Sequence, residues 1–91
     1  MSVYVDELRG YPVSGRWRYG RACHMTADTL EELHAFAGKL QLRRSWFQPH
    51  ERWPHYDLTA KRRALAVSLG AMEVSAREFV KRFLREKGHA L

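Results

Sequence analysis

A small single-domain α/β fold is predicted for this chain by three observations. Strand-like and helix-like segments alternate along it, the helices carry their own start and stop signals, and residues 1–91 suffice for one core but not two. The predicted order is β-β-α-β-α-β-α, a short, largely parallel or mixed sheet with three helices packed on it.

Val3-Tyr4-Val5 is β-branched and aromatic and runs into Asp6-Glu7. A first strand there delivers an acid at its carboxyl end, which makes Asp6 a candidate site residue as well as a candidate turn cap. Residues 9–20 mix three glycines, one proline and three aromatics, hold no period, and read as a loop. In residues 21–27 (RACHMTA) a second strand puts Ala22, His24 and Thr26 on one face and Cys23 and Met25 on the other.

Thr29 with Glu32 has capping-box spacing and opens a helix whose buried stripe is Leu30, Leu33, Phe36, Ala37 and Leu40. His34 lies at the edge of that stripe and reads as a half-buried packing residue. Residues 45–48 form the expected third strand, and Pro49 and Pro54 make residues 48–58 an extended, irregular loop. Thr59 caps a second helix that runs to Leu69 and stops at Gly70. Its apolar run from Ala64 to Leu69 predicts cover on most sides. Residues 71–74 (AMEV) are the fourth strand. Ser75 with Glu78 starts a third helix that buries Phe79, Val80, Phe83 and Leu84 and ends at Gly88.

The single Cys23 excludes an intrachain disulfide and a multi-cysteine zinc site and fits a reducing cytoplasm, where it is expected to be a small buried side chain. No apolar run approaches the roughly twenty residues of a membrane span, and no secretory signal is seen at the start, so a soluble cytoplasmic protein is expected. The net charge of +6 is unevenly placed: residues 39–70 hold seven bases and two acids, residues 1–38 four and five. A basic second half attracts nucleotides or nucleic acid.

Residues 46–63, WFQPHERWPHYDLTAKRR, concentrate the groups that stack, titrate and hold anions. Lys61, Arg62 and Arg63 crowd the positive end of the second helix, where each costs roughly 0.3–1 kcal/mol at low salt. A bound phosphate on that first turn relieves the repulsion, with Lys61 and Arg62 as its ligands. Alternatively, Asp57 supplies the anion by pairing with Arg62 or Arg63. Trp46, Trp53 and Tyr56 offer faces for a base, although a place in the core is the competing expectation for Trp46. His55 as acid/base, with Asp57 orienting it and Lys61 holding charge, suits phosphoester or glycosidic-bond chemistry. The same histidine and aspartate, joined by His24, His34 or His50, have a spacing that a divalent metal can use, though no metal or other cofactor is favoured.

The chain resembles the DUF4031 family, small bacterial and phage proteins that share a domain of unknown function. The resemblance rests on VYVDE at 3–7, CHMTADTLEELHAFA at 23–37, WFQ at 46–48, HYDLTAKRRALAV at 55–67 and GAMEVS at 70–75. It implies a whole domain and no assigned activity. The expected function is binding of a phosphate-bearing small molecule or nucleic acid by Lys61, Arg62, Tyr56, Trp46, Gln48, His24 and Asp6. The alternatives are a small enzyme using His55 and Asp57, and a protein-interaction subunit using the basic third helix. No membrane partner is expected, and short edge strands allow a homodimer.

Overall fold

A computed structural model describes residues 2–10, 20–50 and 53–81. Five strands form one mixed sheet: β1 (Val3–Val5), β2 (Arg9–Gly10), β3 (Arg21–Ala27), β4 (Tyr56–Leu58) and β5 (Met72–Glu73). The helices are α1 (Leu30–Lys39), α2 (Ala60–Ser68) and α3 (Ala76–Phe79). The long β3 is the hub. β1 and β2 run antiparallel along one edge, with Val5 opposite Met25 and Arg9 opposite Ala22. Along the other edge β4 pairs antiparallel, setting Cys23 opposite Leu58, His24 opposite Asp57 and Met25 opposite Tyr56. Among the described residues the one parallel pairing joins β1 to β5, with Val5 opposite Glu73, so the sheet is mixed rather than largely parallel.

The pleat then sorts the side chains. Val3, Val5, Cys23, Met25, Tyr56 and Leu58 all point to one face, where they pack with Leu33, Phe36, Ala37 and Leu40 of the first helical segment and Ala66 of α2. Burying aliphatic and aromatic side chains of this size is the main stabilising term available to the domain. The opposite face carries Tyr4, Asp6, Ala22, His24, Thr26, His55 and Asp57. It has a smaller apolar cluster of Tyr4 and Phe79 with Trp53 and Val74 against it. One face is thus core and the other is chemistry.

Local signals hold up at the helix starts. The Thr29 hydroxyl accepts from the Glu32 amide, Thr59 from the Arg62 amide and Ser75 from the Glu78 amide. Gly70 follows α2 with φ at +111°, the left-handed conformation that favours glycine.

Several expectations are corrected. Residues 44–46 form a 3-10 turn in place of a third strand, and Gln48 joins the sheet only through a single bridge to His55. Pairing with β3 instead draws in Tyr56–Leu58, which the two prolines had marked as loop. Pro49 and Pro54 both precede these residues, so neither removes a ladder donor from β4. Arg9 and Gly10 are strand rather than loop. The second helix is not covered on most sides: Ala66 is buried, while Leu65 and Leu69 are 43% and 47% exposed. Leu30 and Val80 are exposed as well, and so is Trp46, against the expectation of core. Phe83, Leu84 and the helix end at Gly88 lie outside the described residues, as does most of the expected loop at residues 11–19. No helix among the described residues is long and apolar enough to cross a membrane.

Candidate metal centre

Register across three strands builds a row on the chemical face. β3 places His24 at its middle, β4 sets Asp57 directly opposite it, and the chain leaving β1 brings Asp6 to its other side, where the Asp6 amide donates to the His24 carbonyl at 3.1 Å. His55, two residues before Asp57, shares that face. The four residues come from three chain segments, yet the pleat aims them at one spot.

The hydrogen bonds fix which tautomer each imidazole adopts when neutral. Asp6 is 3% exposed; its Oδ1 accepts from the His24 amide at 2.6 Å, and its Oδ2 lies 2.8 Å from His24 Nδ1. A carboxylate only accepts, so Nδ1 carries the proton of that bond. In its neutral form the His24 ring therefore presents the lone pair of Nε2. His55 Nδ1 lies 2.9 Å from the Trp53 carbonyl, also purely an acceptor, so the lone pair of His55 Nε2 is presented in the same way. Burial pushes the His55 imidazole below its ordinary value of 6.5, outweighing the upward pull of the Trp53 carbonyl and Asp57.

Between these two nitrogens stands Asp57. Its Oδ2 accepts from Gln48 Nε2 at 2.9 Å, while its Oδ1 faces His55 Nε2 at 3.6 Å and His24 Nε2 at 4.0 Å. All three ligand atoms lie within 4.8 Å of one another. With both imidazoles neutral, three lone-pair donors converge with no proton among them. A proton on one imidazole or a metal ion at the centre relieves the repulsion among them. An ion held tetrahedrally at roughly 2.0–2.2 Å from each donor would set them about 3.3–3.6 Å apart, within reach of small side-chain adjustments. Asp6 and the Trp53 carbonyl already occupy the supporting positions that metal-bound histidines use.

Aromatic rings wall the cluster. Trp53 stacks on His55 with centroids 4.5 Å apart and meets His24 edge-on at 4.7 Å, and Phe79 lies 5.5 Å from Trp53. His50 packs edge-on to Trp53 at 5.7 Å and is not one of the three ligands. Sequence reasoning paired His55 with Asp57 and offered His24, His34 or His50 as a further metal ligand without favouring a metal; it did not single out His24, nor bring Asp6, Gln48, Trp53 and Phe79 to the same cluster.

Other candidates fall elsewhere. Tyr56 points into the helical face, its hydroxyl 2.9 Å from His34 Nδ1. Arg62 turns its Nε to the Leu40 carbonyl at 3.2 Å and lies over the exposed Trp46 ring. Arg63 donates to the Asp6 carbonyl at 2.8 Å and pairs with Glu73 at 3.0 Å. The expected pairing of Asp57 with Arg62 or Arg63 is therefore replaced: Glu73 takes Arg63, and Asp57 faces the histidines. Lys61 is exposed at the start of α2. An open cavity of about 780 Å³ lies between Glu7, Arg9 and residues 75–81, but its lining includes none of the clustered histidines or aspartates.

No curated protein and no solved structure matches this chain significantly. The family described as "Protein of unknown function (DUF4031)" matches residues 3–86, a span that contains the whole cluster. On that match over nearly its whole length, the chain belongs to the DUF4031 family.

Proposed function

We propose that this protein binds one divalent transition-metal ion through His24 Nε2, His55 Nε2 and Asp57 Oδ1, and that the centre is of the hydrolytic type. The observation that carries the reading is the convergence of two enforced imidazole lone pairs and a carboxylate oxygen within 4.8 Å. Two imidazoles and one carboxylate suit zinc, iron(II) or manganese, and three protein ligands leave room for water and substrate.

The ion would supply Lewis-acid activation of a water molecule near neutral pH. The remaining work falls to the chain. Asp6 keeps the His24 lone pair outward, the Trp53 carbonyl does the same for His55, and Gln48 holds the second oxygen of Asp57 so that the first stays aimed at the centre. Trp53 and Phe79 limit water on the apolar side. In phosphoester hydrolysis the water oxygen loses a proton to solvent and bonds to phosphorus as the ester P–O bond breaks, and the departing oxygen takes a proton from solvent.

Calorimetry on chelator-stripped protein tests this with Zn²⁺, Mn²⁺ and Fe²⁺, alongside chelator-sensitive hydrolysis of bis(p-nitrophenyl) phosphate. One equivalent of metal is expected, with binding lost in His24→Ala and Asp57→Ala. Equal affinity in Asp57→Ala would reject the centre.

A further inference from the structure

A second feature adjoins this centre. Residues 33–50 and 58–72 contain no Asp or Glu, and their cations are Lys39, Arg43 and Arg44 in one and Lys61, Arg62 and Arg63 in the other. Those six charges equal the net charge of the chain, since the other ten bases are matched by ten acids. The fold brings the two stretches together at one ring. Arg43 and Arg62 both lie over Trp46, at 5.7 and 5.6 Å from its centroid, and the Arg62 side chain is tied to the Leu40 carbonyl. Arg63 is spent on Glu73, but Arg43, Arg44 and Lys61 are exposed. Trp46 itself is 45% exposed.

We infer that this patch docks single-stranded nucleic acid, which the metal centre then receives as substrate. Its charge matches a phosphate backbone, and an exposed indole among guanidinium groups provides the stacking surface that single strands use irrespective of sequence. A duplex hides its base faces and cannot use Trp46. The patch is also linked to the centre along the chain. Gln48, two residues beyond Trp46 and so within about 7 Å of it along the chain, donates to the Asp57 ligand at 2.9 Å. That link is the route by which a strand held at Trp46 would reach the lone-pair cluster on the other face of the sheet. Docking stands on the patch alone; the strand's role as substrate rests on the metal-centre reading.

Fluorescence anisotropy with a labelled oligothymidylate of about twelve nucleotides, inside the usual site size, tests docking in chelator. The wild type is expected to bind with log affinity falling against log salt with a slope of about −2 to −3, for three to four backbone contacts. Trp46→Ala should weaken binding roughly five- to 150-fold, the loss of one stacked base, and Trp46→Phe should restore most of it. Arg43→Ala with Arg44→Ala should flatten the slope by about 1.4. Calorimetric metal binding should be the same in Trp46→Ala as in the wild type. Docking is overturned by Trp46→Ala binding as tightly as the wild type, by a duplex of equal length binding as well as the single strand, or by no binding at low salt. If the wild type takes up metal but no oligonucleotide, the inference falls and the centre stands. If it takes up oligonucleotide but no metal, the patch stands as a binding surface and the centre falls, with the substrate role.

Discussion

Asp6→Asn separates an oriented metal ligand from a merely buried histidine. Asp6 makes two contacts with one residue: Oδ1 accepts the His24 amide at 2.6 Å and Oδ2 meets Nδ1 at 2.8 Å. Asparagine can keep both only if its carbonyl faces the amide, which leaves its NH₂ facing Nδ1. That nitrogen must then accept, so the imidazole proton moves to Nε2 and blocks the lone pair aimed at Asp57. The fold should survive, because the side chain has the same shape and both contacts persist. Metal affinity should fall 10- to 100-fold, as for other changes in the groups that support metal ligands. At 1.36 kcal/mol per decade that is about 1.4–2.7 kcal/mol. Calorimetry reads the affinity, and ¹⁵N chemical shifts of the imidazole report which nitrogen holds the proton. Wild-type affinity in a folded variant whose His24 proton has moved to Nε2 would refute the ligand assignment. A proton still on Nδ1 would refute the orienting role of Asp6.

Further outcomes follow from the same contacts. Arg63→Ala strips the donor from the Asp6 carbonyl and should cost about 1–3 kcal/mol in denaturant unfolding, whereas Glu73→Gln, at a side chain 58% exposed, should cost less than about 1 kcal/mol. Burial raises the Cys23 thiol to about 12, so Ellman's reagent should leave it untouched in folded protein and label it once unfolded. His34 is held below its ordinary 6.5, first by burial and then by Arg44. The folded state therefore takes up that proton less readily than the unfolded chain, and the associated stability is present above 6.5 and lost as pH falls through the lowered value. Arg44→Ala should move the His34 midpoint back towards 6.5 in an NMR titration; a midpoint that stays put would remove Arg44 as a cause.

What the sequence determined by itself is whatever is local. Thr29, Thr59 and Ser75 accept from amides three residues on, and Gly70 takes a positive φ, because caps and stops are decided within one turn of chain. The alternation in β3 separated Cys23 and Met25 from His24 and Thr26 for the same reason, a period of two needing no partner. Individual site residues were legible through their chemistry: Asp6 after a strand, His55 and Asp57 at one-residue spacing. Tertiary structure alone decided which strands pair, since the ladder partners of β3 lie far away in sequence and β4 is only three residues long. That pairing set Asp57 opposite His24, took Tyr56 to the other face, and gave Arg63 to Glu73 rather than to the nearer Asp57. Lone pairs from two distant segments converge because the register holds them together, and register is a property of the sheet, not of any stretch of chain.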